Sequence, residues 1–188
     1  MIELTEKQHA KKKQIITAVI HCFVEKGFHA TSTAEICKAA GMSPGNLFHY
    51  YPIKNAIIEA IALQDQANFA RLLNIEPATD SAIAAVITIM TRLLQLYNEP
   101  IYARLSLEII AEASRNSAIN KIFVENEKIV RQLLIDILQY GVSKGEIDPQ
   151  LSIENTASWL ITIADSAIGR DLMEPEFHLA NRLETFIY

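Results

Sequence analysis

A short segment near the N-terminus combines helix-capping residues with polar side chains. Ser32 and Glu35 have the S-x-x-E spacing of a capping box, in which both side chains accept hydrogen bonds from backbone N–H groups at a helix start. Gly41 can take the positive φ that ends this helix, and Ser43 with Pro44 supplies a new N-cap followed by proline at the first helical position. The segment therefore predicts two short helices joined by a tight turn, a layout typical of a helix-turn-helix that reads DNA.

The second of these helices is expected to point most of its side chains away from the core. Leu47 and Tyr51 lie at i and i+4 and can turn inward together. The residues expected to face outward are Gly45, Asn46, His49 and Tyr50. Asn46 can offer a donor and an acceptor to an adenine edge, although local capping is an equally simple role for it.

Phosphate contacts are expected where helices begin, because backbone N–H groups are unpaired there. The start of the first short helix offers hydroxyls at 31–33, and Lys54 offers an ammonium at the start of the next long helix. For Ser32, capping explains the residue as well as phosphate binding does. The complete predicted DNA-contact set is Thr31, Ser32, Thr33, Met42, Ser43, Pro44, Gly45, Asn46, Phe48, His49, Tyr50 and Lys54.

This segment resembles the tetracycline-repressor (TetR) family of bacterial regulators over roughly residues 10–70. The matching residues are Thr31-Ser32, Ile36, Ala40-Gly41-Met42-Ser43, Gly45, Leu47-Phe48, Tyr51 and Lys54. The chain departs from the family pattern at Phe48, where tyrosine is usual, and at Pro44 and Ile53. Beyond this segment the resemblance is one of helix arrangement only.

The resemblance implies an all-α fold of about nine helices in two domains. Residues 1–54 would form a three-helix DNA-binding domain, and residues 55–188 an effector-binding and dimerisation domain, with a connector helix over about 54–74. It also implies a homodimer formed through the last two helices, a palindromic double-stranded DNA operator and a small organic effector that releases a repressor from DNA.

Apolar periodicity independently predicts helices along the whole chain. The expected long helices span about 6–26, 54–74, 80–97, 100–114, 117–140 and 152–172, and a last one follows Pro175. The final two carry more apolar residues than one face of each requires, which favours a four-helix interface with a second copy over a monomer core.

The effector site is expected between the C-terminal helices, in an apolar cavity with a few polar groups. The candidate residues are Met90, Tyr97, Tyr102, Glu108, Trp159, Thr162 and Asp165. Glu108 and Asp165 favour a cationic or polar-headed organic ligand. Each of these residues also has an ordinary structural interpretation, as core or as a solvated charge.

Composition limits the other possibilities. The chain has 188 residues and a net charge of −5, but residues 1–55 carry seven lysines against four glutamates. A positive N-terminal segment on an acidic body suits an oriented approach to DNA. Cys22 and Cys37 have no metal spacing, and the five histidines are scattered, so neither a metal nor a cofactor is expected.

A cytoplasmic protein is predicted, because the sequence shows neither a secretory signal nor an apolar run long enough for a membrane span. Two other classes stay open at this stage. One is an all-helical enzyme and the other a protein-binding adaptor, each using the C-terminal domain. No activated nucleophile, phosphate-binding glycine loop or paired metal motif supports catalysis.

Overall fold

The computed structural model describes residues 6–73 and 81–174, and these residues form helices and no strand. The predicted all-α class is confirmed. The helices of the described residues are α1 (Glu6–Lys26), α2 (Thr33–Ala40), α3 (Pro44–Tyr50), α4 (Lys54–Leu73), α5 (Ala82–Tyr97), α6 (Pro100–Ala113), α7 (Ser117–Lys144), α8 (Ile153–Asp165) and α9 (Arg170–Met173).

The capping residues define α2 and α3 as their spacing predicts. The Ser32 hydroxyl accepts from the Glu35 backbone N–H at 3.2 Å, and the Glu35 carboxylate accepts from the Ser32 backbone N–H at 2.8 Å. Gly41 ends α2 in the left-handed region with φ 63°. Ser43 then caps α3, with Pro44 at its start. The turn between the helices is therefore fixed by local hydrogen bonds.

A first apolar cluster holds α1–α3 together with the start of α4. Phe23, Ile36 and Ile58 are among its fully buried members, and Leu47 and Tyr51 turn inward as predicted. Leu105, Ile109 and Ala113 of α6 and Ile119 of α7 belong to the same cluster. The helices that follow α4 along the chain therefore pack directly onto the N-terminal bundle, and the division at residue 54 stays a prediction.

A second apolar cluster lies between α5, α7 and α8. Leu93, Leu134 and Ala164 are buried at its centre. The long helix α7 packs against α4, α5, α6 and α8, so it connects the two clusters. Within the part of the chain that the structure describes, no helix is both long and apolar enough to span a membrane.

The C-terminal helix boundaries differ from the prediction. Helix α7 continues to Lys144, and Gly145 ends it with φ 75°. The predicted helix over 152–172 is wrong in length, because α8 ends at Asp165 and a turn with Gly169 at φ 74° separates it from the single-turn α9. The predicted last helix after Pro175 and the break over 76–80 lie outside the described residues.

We predict that Gly141→Ala destabilises the protein. A Cβ at position 141 would lie 2.6 Å from Ile147 Cδ1 and 2.7 Å from Ala82 Cβ, where α7 meets the start of α5. Overpacking costs about 1–3 kcal/mol, which outweighs the gain of up to about 1 kcal/mol from replacing glycine in a helix. Urea unfolding should therefore show a net loss of about 1–2 kcal/mol.

Gly45→Ala is the matched control, because a Cβ there meets no described atom within 4 Å. Its unfolding free energy should equal or slightly exceed that of the wild type. Unchanged or increased stability of the Gly141→Ala variant would contradict the close packing of α7 on α5.

Candidate DNA interface and ligand cavity

Helix α3 presents a polar and aromatic face to solvent. Asn46 and His49 are exposed, Tyr50 is half-buried and Phe48 has 44% of its surface accessible. The rings of His49 and Tyr50 meet edge to face, with centroids 5.2 Å apart. The prediction that both rings face outward holds fully only for His49, because Tyr50 also packs against the first apolar cluster. The His49 ring and the accessible part of the Tyr50 ring are available to an external partner.

The opposite face anchors α3 in the N-terminal bundle. Leu47 is fully buried, and the Lys12 ammonium lies 5.6 Å from the centre of the buried Tyr51 ring. The Gln14 side-chain amide of α1 donates to the Ala40 carbonyl oxygen at the end of α2, at 3.1 Å. Because α1 contacts the C-terminal end of α2 and the C-terminal end of α3, it helps to fix the orientation of α3.

Thr31 differs from its predicted role. Its side chain is 1% exposed, and its hydroxyl donates to the Gly27 carbonyl oxygen at 2.8 Å and lies 3.2 Å from that of Cys22. It closes the turn between α1 and α2, so this conformation cannot offer its hydroxyl to a phosphate. Ser32 is exposed and Thr33 is half-buried, so both stay predicted phosphate contacts.

Lys54 also has partners within the chain. Its ammonium donates to the carbonyl oxygens of Phe28 and His29 and lies 4.4 Å from the centre of the Phe28 ring. Burial lowers the pKa of Lys54 from its ordinary value, while the carboxylates of Glu112 and Glu108 oppose this effect. The predicted phosphate contact of Lys54 stays a prediction, and any such contact would share an ammonium that already holds the turn.

Two carboxylates of α6 contact the same turn from the other side. Glu108 Oε2 accepts from the Phe28 backbone N–H at 2.7 Å, and Glu112 Oε1 lies 2.5 Å from His29 Nε2. Glu108 fits there because residue 27 is glycine, with Glu108 Oε1 only 3.1 Å from where a Cβ would lie. We call these contacts of Glu108 and Glu112 with residues 27–29 the α6–turn junction.

The junction corrects the interpretation of Glu108 as a ligand-binding residue. Its carboxylate is committed to a backbone N–H between the helices rather than to a cavity. Three other predicted ligand residues also do not line the cavity described below. Trp159 is 67% exposed, Thr162 is exposed and bonded to the Ser158 carbonyl, and Met90 packs against the second apolar cluster.

A cavity of about 70 Å³ lies between α4, α5, α6, α7 and α8. Its lining includes three of the predicted ligand residues, Tyr97, Tyr102 and Asp165. The other described lining residues are Asp65, Leu93, Ser106, Ile109, Ile110, Phe123, Asn126, Glu127, Val130, Ile161, Ala164 and Ile168. Asp65 was not among the predicted ligand residues, because it lies on the helix predicted as the connector.

Two tyrosine–aspartate pairs form the polar part of the cavity. The Tyr97 hydroxyl donates to Asp165 Oδ1 and the Tyr102 hydroxyl donates to Asp65 Oδ2, each at 3.2 Å. The two tyrosine rings stack with centroids 6.1 Å apart and an interplanar angle of 18°. Each ring of the stack therefore bonds one carboxylate of the cavity, from Asp65 on α4 and from Asp165 on α8.

Burial disfavours the charged form of every member of these pairs. It raises the pKa of Asp65 to about 6, although the Tyr102 hydrogen bond acts in the opposite direction. Burial likewise raises the pKa of Asp165 to about 6, opposed by Tyr97 and assisted by Glu127. The pKa values of Tyr97 and Tyr102 are raised by burial and then by the neighbouring carboxylates, so both hydroxyls remain donors.

Metal binding has no support in the described ranges. No group of three or more His, Cys, Asp and Glu side chains there is placed to hold a metal ion. The two cysteines are not paired with one another, and Cys37 is buried.

Comparison with known proteins identifies the class to which this fold and its exposed helix-turn-helix belong. Residues 15–61 match the family described as bacterial regulatory proteins, tetR family. The transcriptional regulator UidR of Escherichia coli K12 is 31% identical over 160 residues, which cover 85% of this chain and 80% of the relative. The chain therefore belongs to the TetR family of helix-turn-helix transcriptional regulators.

Solved structures share the fold over almost the whole length. Salmonella enterica GusR superposes with a TM-score of 0.77 at 29% identity, covering 97% of this chain and 95% of that one. FadR from Bacillus subtilis, in complex with stearoyl-CoA, gives a TM-score of 0.76 at 20% identity, covering 92% of this chain and 94% of that one. UidR and FadR are both named transcriptional regulators.

We predict that Asp65→Asn stabilises the protein at pH 7.5 and loses this effect in acid. The folded-state pKa of about 6 lies above the ordinary value of 3.8, so the folded chain binds more protons between these values. The contribution of Asp65 to stability therefore decreases as pH rises through that window and stays lowest above it. The variant should gain about 2 kcal/mol at pH 7.5 and much less near pH 4.5.

Urea unfolding at the two pH values measures this difference. Asp136→Asn is the control, because Asp136 is exposed on α7 and the substitution removes the same charge outside the cavity. An Asp65→Asn variant that is less stable at pH 7.5, or equally stabilised at both pH values, would contradict the buried carboxylate.

We also predict that Glu108→Ala destabilises the protein by about 1–3 kcal/mol, because the Phe28 N–H loses its charged acceptor. Glu108→Gln should lose less, since an amide oxygen can still accept. Glu125→Ala, which removes an exposed carboxylate from α7, is the control. Thermal and urea unfolding compare the three variants. Equal stability of Glu108→Ala and Glu125→Ala would contradict a stabilising role for the junction.

Proposed function

We propose that this TetR-family regulator is a repressor that binds a palindromic operator as a homodimer and is released by a small organic effector. The observation that carries the proposal is the face of α3 with exposed Asn46 and His49 and half-buried Tyr50, held on a capped helix-turn-helix. Residues 1–54 would bind DNA, and residues 55–188 would bind the effector and dimerise. Such a regulator acts on the chromosome and therefore in the cytoplasm.

The N-terminal turn of α3 would enter the major groove. Asn46, one residue beyond Gly45, would read a base edge, and the rings of His49 and Tyr50 would contact the groove walls. Ser43 and Pro44 would lie at the helix start close to the DNA, and Met42 and Phe48 would border it. Thr31 is omitted from the proposed contacts because its hydroxyl is buried and bonded.

A dimer interface on α8 is supported by its exposed apolar side chains. Trp159 and Ile163 lie at i and i+4, with 67% and 41% of their surfaces accessible. Pairing with the same face of a second copy would bury both in an isologous contact. The remaining part of the predicted interface, after Pro175, lies outside the described residues.

The cavity supports an effector site, because α4 and α6 each extend from it to the DNA-binding bundle. Helix α4 carries Asp65 in the cavity and Ile58 in the N-terminal cluster. Helix α6 carries Tyr102 in the cavity and Glu108 at the α6–turn junction. An effector larger than the present cavity would separate these helices and shift the bundle. The complex of FadR with stearoyl-CoA supports the proposal, because it shows a protein of similar fold bound to an organic ligand.

The absence of catalysis is part of the proposal. The cavity pairs Asp65 and Asp165 each with a tyrosine hydroxyl. No nucleophile with an adjacent base occurs among the described lining residues. No specific observation favours the alternative of a protein-binding adaptor.

Effector release of the operator has a definite energetic requirement. A tenfold loss of operator affinity requires the effector to prefer the DNA-incompetent arrangement by about 1.4 kcal/mol.

We predict that replacing both His49 and Tyr50 with alanine weakens operator binding by about 1–3 kcal/mol per base contact removed. The measurement is a gel shift with the DNA upstream of the protein's own gene, in competition with unrelated DNA. Tyr140→Ala, which removes a tyrosine with 42% exposure on α7, is the matched control and should bind normally.

Hydroxyl-radical footprinting of the same complex should show two protected half-sites related by a two-fold axis, with one α3 per half-site. Full-strength, sequence-selective binding by the double variant would refute the assignment of α3. Absence of any discrete complex with the wild-type protein would count against operator binding itself.

A further inference from the structure

The groups that line the cavity indicate the chemical class of its ligand. Its polar groups are mainly acceptors, and it holds an unbalanced negative charge. Three carboxylates line it, from Asp65, Glu127 and Asp165, and no Lys, Arg or His occurs among the described lining residues. Glu127 is paired with Arg131, which also bonds the Ser158 hydroxyl. Among the described residues, the carboxylates of Asp65 and Asp165 accept hydrogen bonds from tyrosine hydroxyls and have no cationic partner in the cavity lining.

A second observation concerns Asn126 on α7. Its side-chain oxygen is fully buried, accepts no hydrogen bond and belongs to a residue that lines the cavity. A buried acceptor without a donor costs about 1–3 kcal/mol, so a ligand that supplies a donor gains this amount relative to the empty cavity. Asn126 therefore shares with the aspartates a requirement for a hydrogen-bond donor.

The rest of the lining is apolar and aromatic. Phe123, Ile161 and Ile168 surround the polar groups, and the stacked rings of Tyr97 and Tyr102 form one wall. Aromatic faces and carboxylates both attract cations, whereas an anionic ligand would meet two carboxylates without a compensating positive side chain among the described residues. With pKa values of about 6, both aspartates are mostly ionised at neutral pH.

We infer that the effector is a compact organic cation, an ammonium group on an apolar or aromatic body, with the ammonium bound between Asp65 and Asp165. This inference rests on the proposed function, because it assigns the ligand class of the same cavity. The ammonium donates to the two carboxylates, and the apolar body occupies the space beside Phe123 and the isoleucines. A further donor on the ligand can reach Asn126.

The cavity volume determines which ligands fit without moving the surrounding helices. About 70 Å³ is less than a benzene-sized cavity of about 150 Å³, so a ligand with an aromatic body must enlarge the space. Enlargement separates α4 and α6 from α7. A small cation would thus bind without displacing these helices, while a larger one would also shift the α6–turn junction.

The test uses three amine–alcohol pairs of matched shape and increasing size. They are isobutylamine with isobutanol, benzylamine with benzyl alcohol, and 2-phenylethylamine with 2-phenylethanol. At pH 7.5 each amine is protonated and each alcohol is neutral. Isothermal titration of the full-length protein should show at least about tenfold tighter binding of the amine in one or more pairs.

The variants connect this preference to the two aspartates. Asp65→Asn and Asp165→Asn should each reduce amine affinity by about tenfold and leave alcohol affinity unchanged, because they remove charge and keep shape. Asp136→Asn, on the exposed face of α7, should change neither. Circular dichroism and urea unfolding verify that each variant folds.

The inference is overturned if no amine binds more tightly than its alcohol, or if the preference survives both substitutions. Operator binding by gel shift is measured in parallel without any amine. A protein that binds its operator but shows no preference for cations retains the proposed function and refutes the ligand class. Conversely, cation preference without operator binding supports the ligand class and refutes the proposed operator binding.

Discussion

The hydrogen bond from the Phe28 backbone N–H to the Glu108 carboxylate is the contact on which the rest of this structure depends. It joins the turn that begins the DNA-reading helices to the same helix, α6, that lines the cavity. Lys54 holds the carbonyl side of that turn while Glu108 holds its N–H side. Since a charged hydrogen bond contributes about 1.5–3 kcal/mol, moving α6 against the turn has a definite cost.

The cavity shows the opposite balance between stability and function. Two carboxylates in a mostly apolar space destabilise the empty protein, which is reflected in their raised pKa values. An arrangement that disfavours the free protein and would be compensated by a ligand is typical of a binding site. The same carboxylates set specificity, because a neutral or anionic molecule of the same shape would not compensate them.

Local chemistry explains which features the sequence could predict. Capping at Ser32 and Ser43 and the turn at Gly41 depend on neighbouring residues, so α2 and α3 were predictable within a residue or two. Tyr97, Tyr102 and Asp165 were found because polar groups in apolar helices are unusual. The end of α8 was missed, since apolar periodicity continues through the turn at Gly169.

Contacts between distant elements could not be predicted in this way. Thr31 and Glu108 have the residue types expected of a DNA contact and a ligand contact, but both serve the structure. The Thr31 hydroxyl closes the α1–α2 turn at the Gly27 carbonyl, and Glu108 joins α6 to the same turn at the Phe28 N–H. Asp65 lines the cavity because α4 packs against α7 in the folded chain. These roles depend on tertiary packing, which cannot be recognised from short motifs in a single sequence.

Coupling between the cavity and α3 is the central claim, and thermodynamic reciprocity allows it to be tested from the DNA side alone. Amide hydrogen exchange is measured over residues 27–33 and 100–113 in the free protein, with operator DNA, and with unrelated DNA of equal length. The account predicts that operator DNA slows exchange in both segments, including the part of α6 that lines the cavity, and that Glu108→Ala confines the effect to the turn. Slowing at the turn with no change in α6 of the wild-type protein would contradict it.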